Sequence, residues 1–216
     1  MKRILWAGMA VSLFCAASAV AASQQSSAAP AASPAGAMTS SPAAAADKTM
    51  PSYDMKAQAA LDLQQLQEKY VALAQAIPAD KYTWRPAEGV RSISELLLHV
   101  SGASYGFPTM ITGVTPAAGY QRDGFEKSTT DKVKIIEQLN KSFAYAIAVV
   151  QNMSNADFAK AEKKLGPDAN DGDVIYLMVT HAHEHLGQAI ADARINGIVP
   201  PWTAEAMKKN PKTTAE

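Results

Sequence analysis

Four stretches of this chain return an apolar side chain every three or four residues, and each is closed by proline or glycine. That pattern leaves stacked helices as the economical way to bury a core. Leu66, Tyr70, Leu73 and Ile77 mark the first stripe, which Pro78 stops. His99, Leu96, Ala103, Gly106 and Met110 share a face of the second, and Ile136, Leu139, Phe143, Ile147 and Val150 form the third. The fourth runs from Val174 to Asn196, with Gly197 as its stop. No segment alternates with period two for long enough to make a strand, and no internal repeat is visible. The expected fold is therefore all-α, a four-helix bundle. The pattern does not set its handedness or the order of its connections.

Local signals give the boundaries. Ser52 is the expected N-cap of the first helix. Ser92 and Glu95 form a capping box for the second, over residues 93–111, with Pro108 expected to kink or end it early. Trp84 should anchor the loop before it. The third helix is expected to begin near Ser128 or Thr129, and the fourth to be capped by Asp171 or Asp173. Gly102 and Gly106 are unusual inside a helix, where each costs about 0.5–1 kcal/mol relative to Ala. They read either as a close approach of another element or as room for a ligand beside His99. The loop over 112–125 is long enough to be a rim or lid.

Composition matters mainly for what surrounds the bundle. Lys2 and Arg3, an apolar run from Ile4 and the small residues Ala19-Val20-Ala21 make residues 1–22 an expected signal peptide. Residues 23–50, rich in Ala, Ser and Pro, are expected to be a disordered linker. The bundle is assigned to 51–204 and a flexible tail to 205–216. The single cysteine, Cys15, falls in the segment expected to be removed, so neither a disulfide nor thiol chemistry is expected of the mature chain. Without Lys2 and Arg3 the chain carries two more acids than bases and no basic run, which argues against nucleic acid as a partner. The mature form is expected to be exported, periplasmic or secreted, with no membrane span. A homodimer through helix faces is the expected partner state, on general grounds.

Three of the four histidines lie in HAHEHLGQ. His181 and His185, four residues apart, share one helix face about 40° wide, the spacing at which two imidazoles close on one ion. Val174, Leu177, Met178, Gln188, Ala189 and Ile195 fall on the same side, whereas His183 points away. With His99 from the second helix they suffice for a facial metal site. Neutral imidazole suits Zn, Ni, Fe and Cu, and three protein ligands leave positions open. The bland alternative is that each ring is a core histidine bonded to a neighbour. Asp192 lies on the histidine face about 10 Å beyond His185, too far to share the ion. It reads as a carboxylate paired at the open end of the bundle, or as a group orienting a histidine of another helix. His181, Glu184 and His185 also match the inverted zinc-protease motif, but those proteases are larger two-part proteins with an acidic ligand well downstream. Glu184 is kept as a candidate base or orienting group, beside the reading of a solvated flank carboxylate.

WRPAEGVRSISELLLHV and the distant HAHEHLGQAIADARINGIVPP together resemble the DinB/YfiT-like family of metal-binding four-helix bundles. The likeness runs from about Tyr53 to Trp202 and rests on Trp84-Arg85-Pro86, Arg91-Ser92, His99, the His181/His185 pair, Gly187-Gln188 and Arg194 through Pro201. It implies a divalent metal ion (Zn, Ni or Fe) held by His99, His181 and His185. Many members carry H-R-G-Q, where this chain has Leu186, read as lying off the inward face. The implied activities are divided among metal-dependent hydrolases, thiol S-transferases and members with no assigned reaction. The expected function is thus a metalloenzyme that activates water or a thiol cosubstrate for an unknown small-molecule substrate. Glu184 is its candidate base and Gln188 a candidate polar contact. The competing expectation is a non-catalytic binding bundle.

Overall fold

The structure, a computed structural model, describes residues 54–114, 116 and 120–210. The signal peptide, the linker and the Ser52 cap lie outside the described residues. Five helices make up the rest: α1 (Met55–Ala76), α2 (Ile93–Thr112), α3 (Lys132–Asn152), α4 (Asp171–Ile195) and α5 (Pro201–Lys209). Among the described residues there is no strand, only a single bridge between Ala161 and Asn170. No described helix is long and apolar enough to cross a membrane.

Each start has a chemical reason. Asp54 caps α1 through the Ala57 amide, and Asp131 caps α3 through the amides of Val133 and Lys134. The expected start at Ser128 or Thr129 is thus two to three residues too early, because Ser128 closes the preceding 3-10 turn instead. Asn170, not either neighbouring aspartate, caps α4, and Asp173 completes its capping box. The Ser92–Glu95 box of α2 forms as expected, with Arg85 joining Glu95 at 3.2 Å.

Pro108 does not end α2. It removes one backbone donor, but the helix continues to Gly113, whose φ of 67° makes the left-handed stop. The Thr109 hydroxyl donates to the Tyr105 carbonyl and that of Thr112 to the Pro108 carbonyl, side-chain bonds that tie down the last turns of the helix. Pro200 and Pro201, read as lying beyond the last helix, start a further one. Proline suits the first helical position, and residues 205–209 of the expected tail form the second half of α5.

The largest helix interfaces are α2 with α3, α1 with α3, α2 with α4 and α1 with α4. Going round the bundle the order is therefore α1, α3, α2, α4, with α1 and α2 across a diagonal. Leu63, Leu66, Leu73, Leu97, Leu98, Leu139 and Phe143 are completely buried at the centre, each contributing about 1.5–3 kcal/mol of hydrophobic stabilisation. Tyr70 crosses from α1 to α4, donating to the Ala182 carbonyl at 2.7 Å. The α1–α2 crossover is pinned by buried Tyr82, whose hydroxyl donates to the Ala74 carbonyl at 2.7 Å, with Trp84 partly buried against the core.

Because α4 packs against both α1 and α2, its buried face is broader than the histidine side predicts. Val174, Ile175, Met178, Ala182, Leu186, Ala189 and Ala193 are all buried. Leu186 is a core residue, contrary to the expectation. Leu177 and Ile195, expected inward, are exposed. The histidines consequently sit at the edge of the core towards α2.

Candidate metal centre

His99 on α2 and His181 and His185 on α4 meet across the α2–α4 interface. One ligand atom from each lies within 4.8 Å of the others. His99 Nε2 and His185 Nε2 are each 3.1 Å from His181 Nε2. For a metal–nitrogen bond of about 2.0–2.1 Å, tetrahedral and octahedral edges are roughly 2.9–3.4 Å, so these two separations fit a shared ion, while the third, between His99 and His185, lies within 4.8 Å. His185 is buried, while His99 and His181 are half-buried.

The outer nitrogens settle the tautomers. Nδ1 of His99 lies 2.5 Å from Glu126 Oε1, and Nδ1 of His185 lies 2.8 Å from Gln188 Oε1. Both acceptors call for a proton on Nδ1, which leaves Nε2 of both neutral rings as a bare lone pair. His181 Nε2 faces both lone pairs, and a single proton there could satisfy only one. Adding a proton is disfavoured: burial, with the neighbouring His185 and His99 rings and Arg91, holds His181 down to about 4. Burial likewise lowers His99, against the opposing pull of Glu126. Three converging imidazole nitrogens, with His99 and His181 resisting protonation, are the donor set a borderline divalent cation takes.

Glu126 is the residue that sequence reading missed. It stands on the 3-10 turn Phe125–Lys127, after the loop that follows α2. Arg91 grips both of its oxygens, Nε to Oε2 at 2.9 Å and Nη2 to Oε1 at 3.2 Å. Burial alone would push the Glu126 carboxyl up, but Arg91 and His99 together hold it below the usual range. The turn is set by aromatic packing. Phe125 is buried against α2, where a Cβ on Gly102 would stand 3.2 Å from its ring, and Tyr120 donates to the Gly102 carbonyl at 3.0 Å. Gly102 thus serves close approach. Gly106 has only the Tyr120 hydroxyl, 3.9 Å from a built Cβ, and lines open space. The one signal for Glu126 in the sequence was an acid beside a phenylalanine closing a glycine-bearing loop, which no helical period marks.

The other expected positions divide. Gln188, although exposed, reaches back to orient His185. Glu184 is exposed and makes none of the hydrogen bonds of the cluster, and His183 is exposed as expected. Asp192 is buried but forms no ion pair among the described residues, and burial pushes its carboxyl up. Asn196 binds its backbone carbonyl rather than its carboxylate. A cavity of about 590 Å³ opens beside the cluster, with His99 and His181 in its wall and Glu126, Tyr120 and Phe125 opposite α2.

A four-helix bundle with three imidazoles converging between its second and fourth helices defines a class of proteins by itself. The model of the DinB superfamily matches residues 62–189, and the chain belongs to that family. Its fold is similar to a crystal structure of a DinB-like protein from Bacillus cereus, at 15% identity and a TM-score of 0.55, covering 65% of this chain and 93% of that one. It is also similar to a DinB-like protein from Bacillus subtilis, at 18% identity and a TM-score of 0.53, covering 65% and 92%. No curated protein matches the chain.

Proposed function

We propose that the protein is an exported metal-dependent enzyme in which His99, His181 and His185 hold one divalent ion. The observation that carries this reading is the commitment of the outer nitrogens of His99 and His185 to Glu126 and Gln188, which turns lone pairs inward around His181. When bound, such an ion lowers the pKa of a coordinated water or thiol towards neutrality, supporting hydrolysis or thiol transfer.

The chain's own residues supply positioning. Glu126, backed by Arg91, fixes the ring of His99 and raises its basicity as a ligand, and Gln188 does the same for His185. Glu126 supplies the orienting role that the sequence offered as one option for Glu184. The cavity brings substrate against His99 and His181, while burial keeps His185 away from bulk water. Export rests on the sequence of residues 1–22, and hydrolysis is preferred over thiol transfer because an exported protein meets less of the cytosolic thiol pool.

One observation favours a second reading, a non-catalytic binding bundle. The only carboxylate at the cavity wall among the described residues is tied into an ion pair with Arg91, which weakens it as a base. The test is turnover by Zn-, Ni- and Fe-loaded protein on activated esters, amides and thiol acceptors. Metal-dependent turnover abolished in a folded His181→Ala variant supports the enzyme. Stoichiometric metal with no turnover on any class supports the binding bundle.

A further inference from the structure

The cavity beside the histidines has a chemical gradient along its length. At one end stand His99 and His181. Its middle is a strip of small residues on α2, Gly102, Ala103 and Gly106, faced by the rings of Tyr120 and Phe125. At the far end Met110 forms the wall, and the ammonium of Lys164 lies 3.5 Å from the Met110 carbonyl. Arg122 also lines the cavity, close enough to Tyr120 to oppose the rise that burial gives its hydroxyl. The one acid among the described residues of the wall, Glu126, is neutralised by Arg91 at the histidine end. Glu162, two residues before Lys164, accepts from the Lys164 backbone amide.

From His99 to Met110 is eleven residues of helix, about 16 Å at 1.5 Å per residue. A cation at the end of an apolar trough that long, Lys164, with Arg122 also in the wall and a metal-ligand cluster at the other end, describes a ligand with two polar ends. We propose that the cavity binds an elongated amphiphilic anion. Its reactive polar end lies at the three histidines, its apolar body on the Gly102–Gly106 strip, and its anionic group at Arg122 and Lys164. The omission of side chains at Gly102 and Gly106 makes the trough wide enough for a hydrocarbon or aromatic body, and Arg122 and Lys164 in its wall select against a cationic tail. This rests on the metal reading above, since the near end needs the ion.

A series of linear dicarboxylates tests it on Zn-loaded full-length protein by calorimetry, with one carboxylate directed to the metal end and the other to the cationic end. Sebacate should bind at least about tenfold tighter than decanoate, the matching monoacid, and succinate should show no such gain, as expected for an added charge-assisted contact. Arg122→Gln with Lys164→Gln should erase the advantage of sebacate while leaving decanoate and Zn binding unchanged. Gly106→Leu should weaken both long acids and spare the metal. If Zn binds stoichiometrically and sebacate gains nothing over decanoate, or its gain survives the double substitution, the proposal is wrong and the metal reading stands. If Zn does not bind, the metal reading itself fails and this one with it.

Discussion

The Glu126 carboxylate meets His99 Nδ1 at 2.5 Å, across 27 residues of chain, and Arg91 holds both of its oxygens. One ligand of the cluster is thereby fixed by a side chain on a 3-10 turn rather than by its own helix. Removing the carboxylate frees the ring and lets the proton move to Nε2. Glu126→Ala should therefore weaken divalent-metal binding by about 10–100-fold with the helical content unchanged. Competition against a chelator measures this. An affinity equal to the parent protein would show that the contact plays no part in binding.

The two glycines of α2 should part company. Gly106→Ala meets only the Tyr120 hydroxyl at 3.9 Å, so it should stabilise by about 0.5–1 kcal/mol through helix propensity. Gly102→Ala places its Cβ 3.2 Å from the Phe125 ring, which carries the Glu126 turn. It should forgo that gain and lower metal affinity as well. Thermal melts of both, with and without metal, give the comparison, and equal behaviour would contradict the packing argument.

Tyr70 should be a measurable tie between α1 and α4. Its buried hydroxyl donates to Ala182, one residue beyond His181. Tyr70→Phe removes the donor and leaves the ring, costing about 1 kcal/mol in urea unfolding. An unchanged midpoint would mean that water replaces the bond.

Acid should destabilise the metal-free protein through its histidines. His181 is held near 4 in the folded chain, below the ordinary value of 6.5, so the unfolded chain binds more protons between those values. Stability should be flat above about pH 6.5 and fall as pH drops from there towards about 4. His181→Ala should flatten part of that slope. A slope identical in the variant would move the effect elsewhere.

Where the sequence was readable, a periodic signal made it so. The stripe through Leu66, Tyr70, Leu73 and Ile77 is wholly buried, and so are Leu139, Phe143, Ile147 and Val150. The three histidines converge because two lie one turn apart on α4 and the third lies on the facing helix. Other features depend on partners that a helical wheel does not contain. Leu186 is buried and Leu177 exposed because α4 serves two neighbours, so its buried face is wider than one stripe and turned from the histidine side. Glu126 is set by Phe125 docking on Gly102, a contact between a loop and a helix with no period to announce it. The order α1, α3, α2, α4 follows from which faces match, which no single helix records. Helix caps were displaced by one to three residues where several Asp, Asn and Ser compete, as before α3 and α4.

The central claim is that three imidazoles close on one cation, and metal titration of untagged protein bears on it most directly. Chelator-stripped protein titrated with Co(II) should take up one equivalent per chain. The visible spectrum should be that of nitrogen ligation, and it should be lost in each of His99→Ala, His181→Ala and His185→Ala while the fold is retained. No uptake, or uptake that survives all three substitutions, would contradict the account.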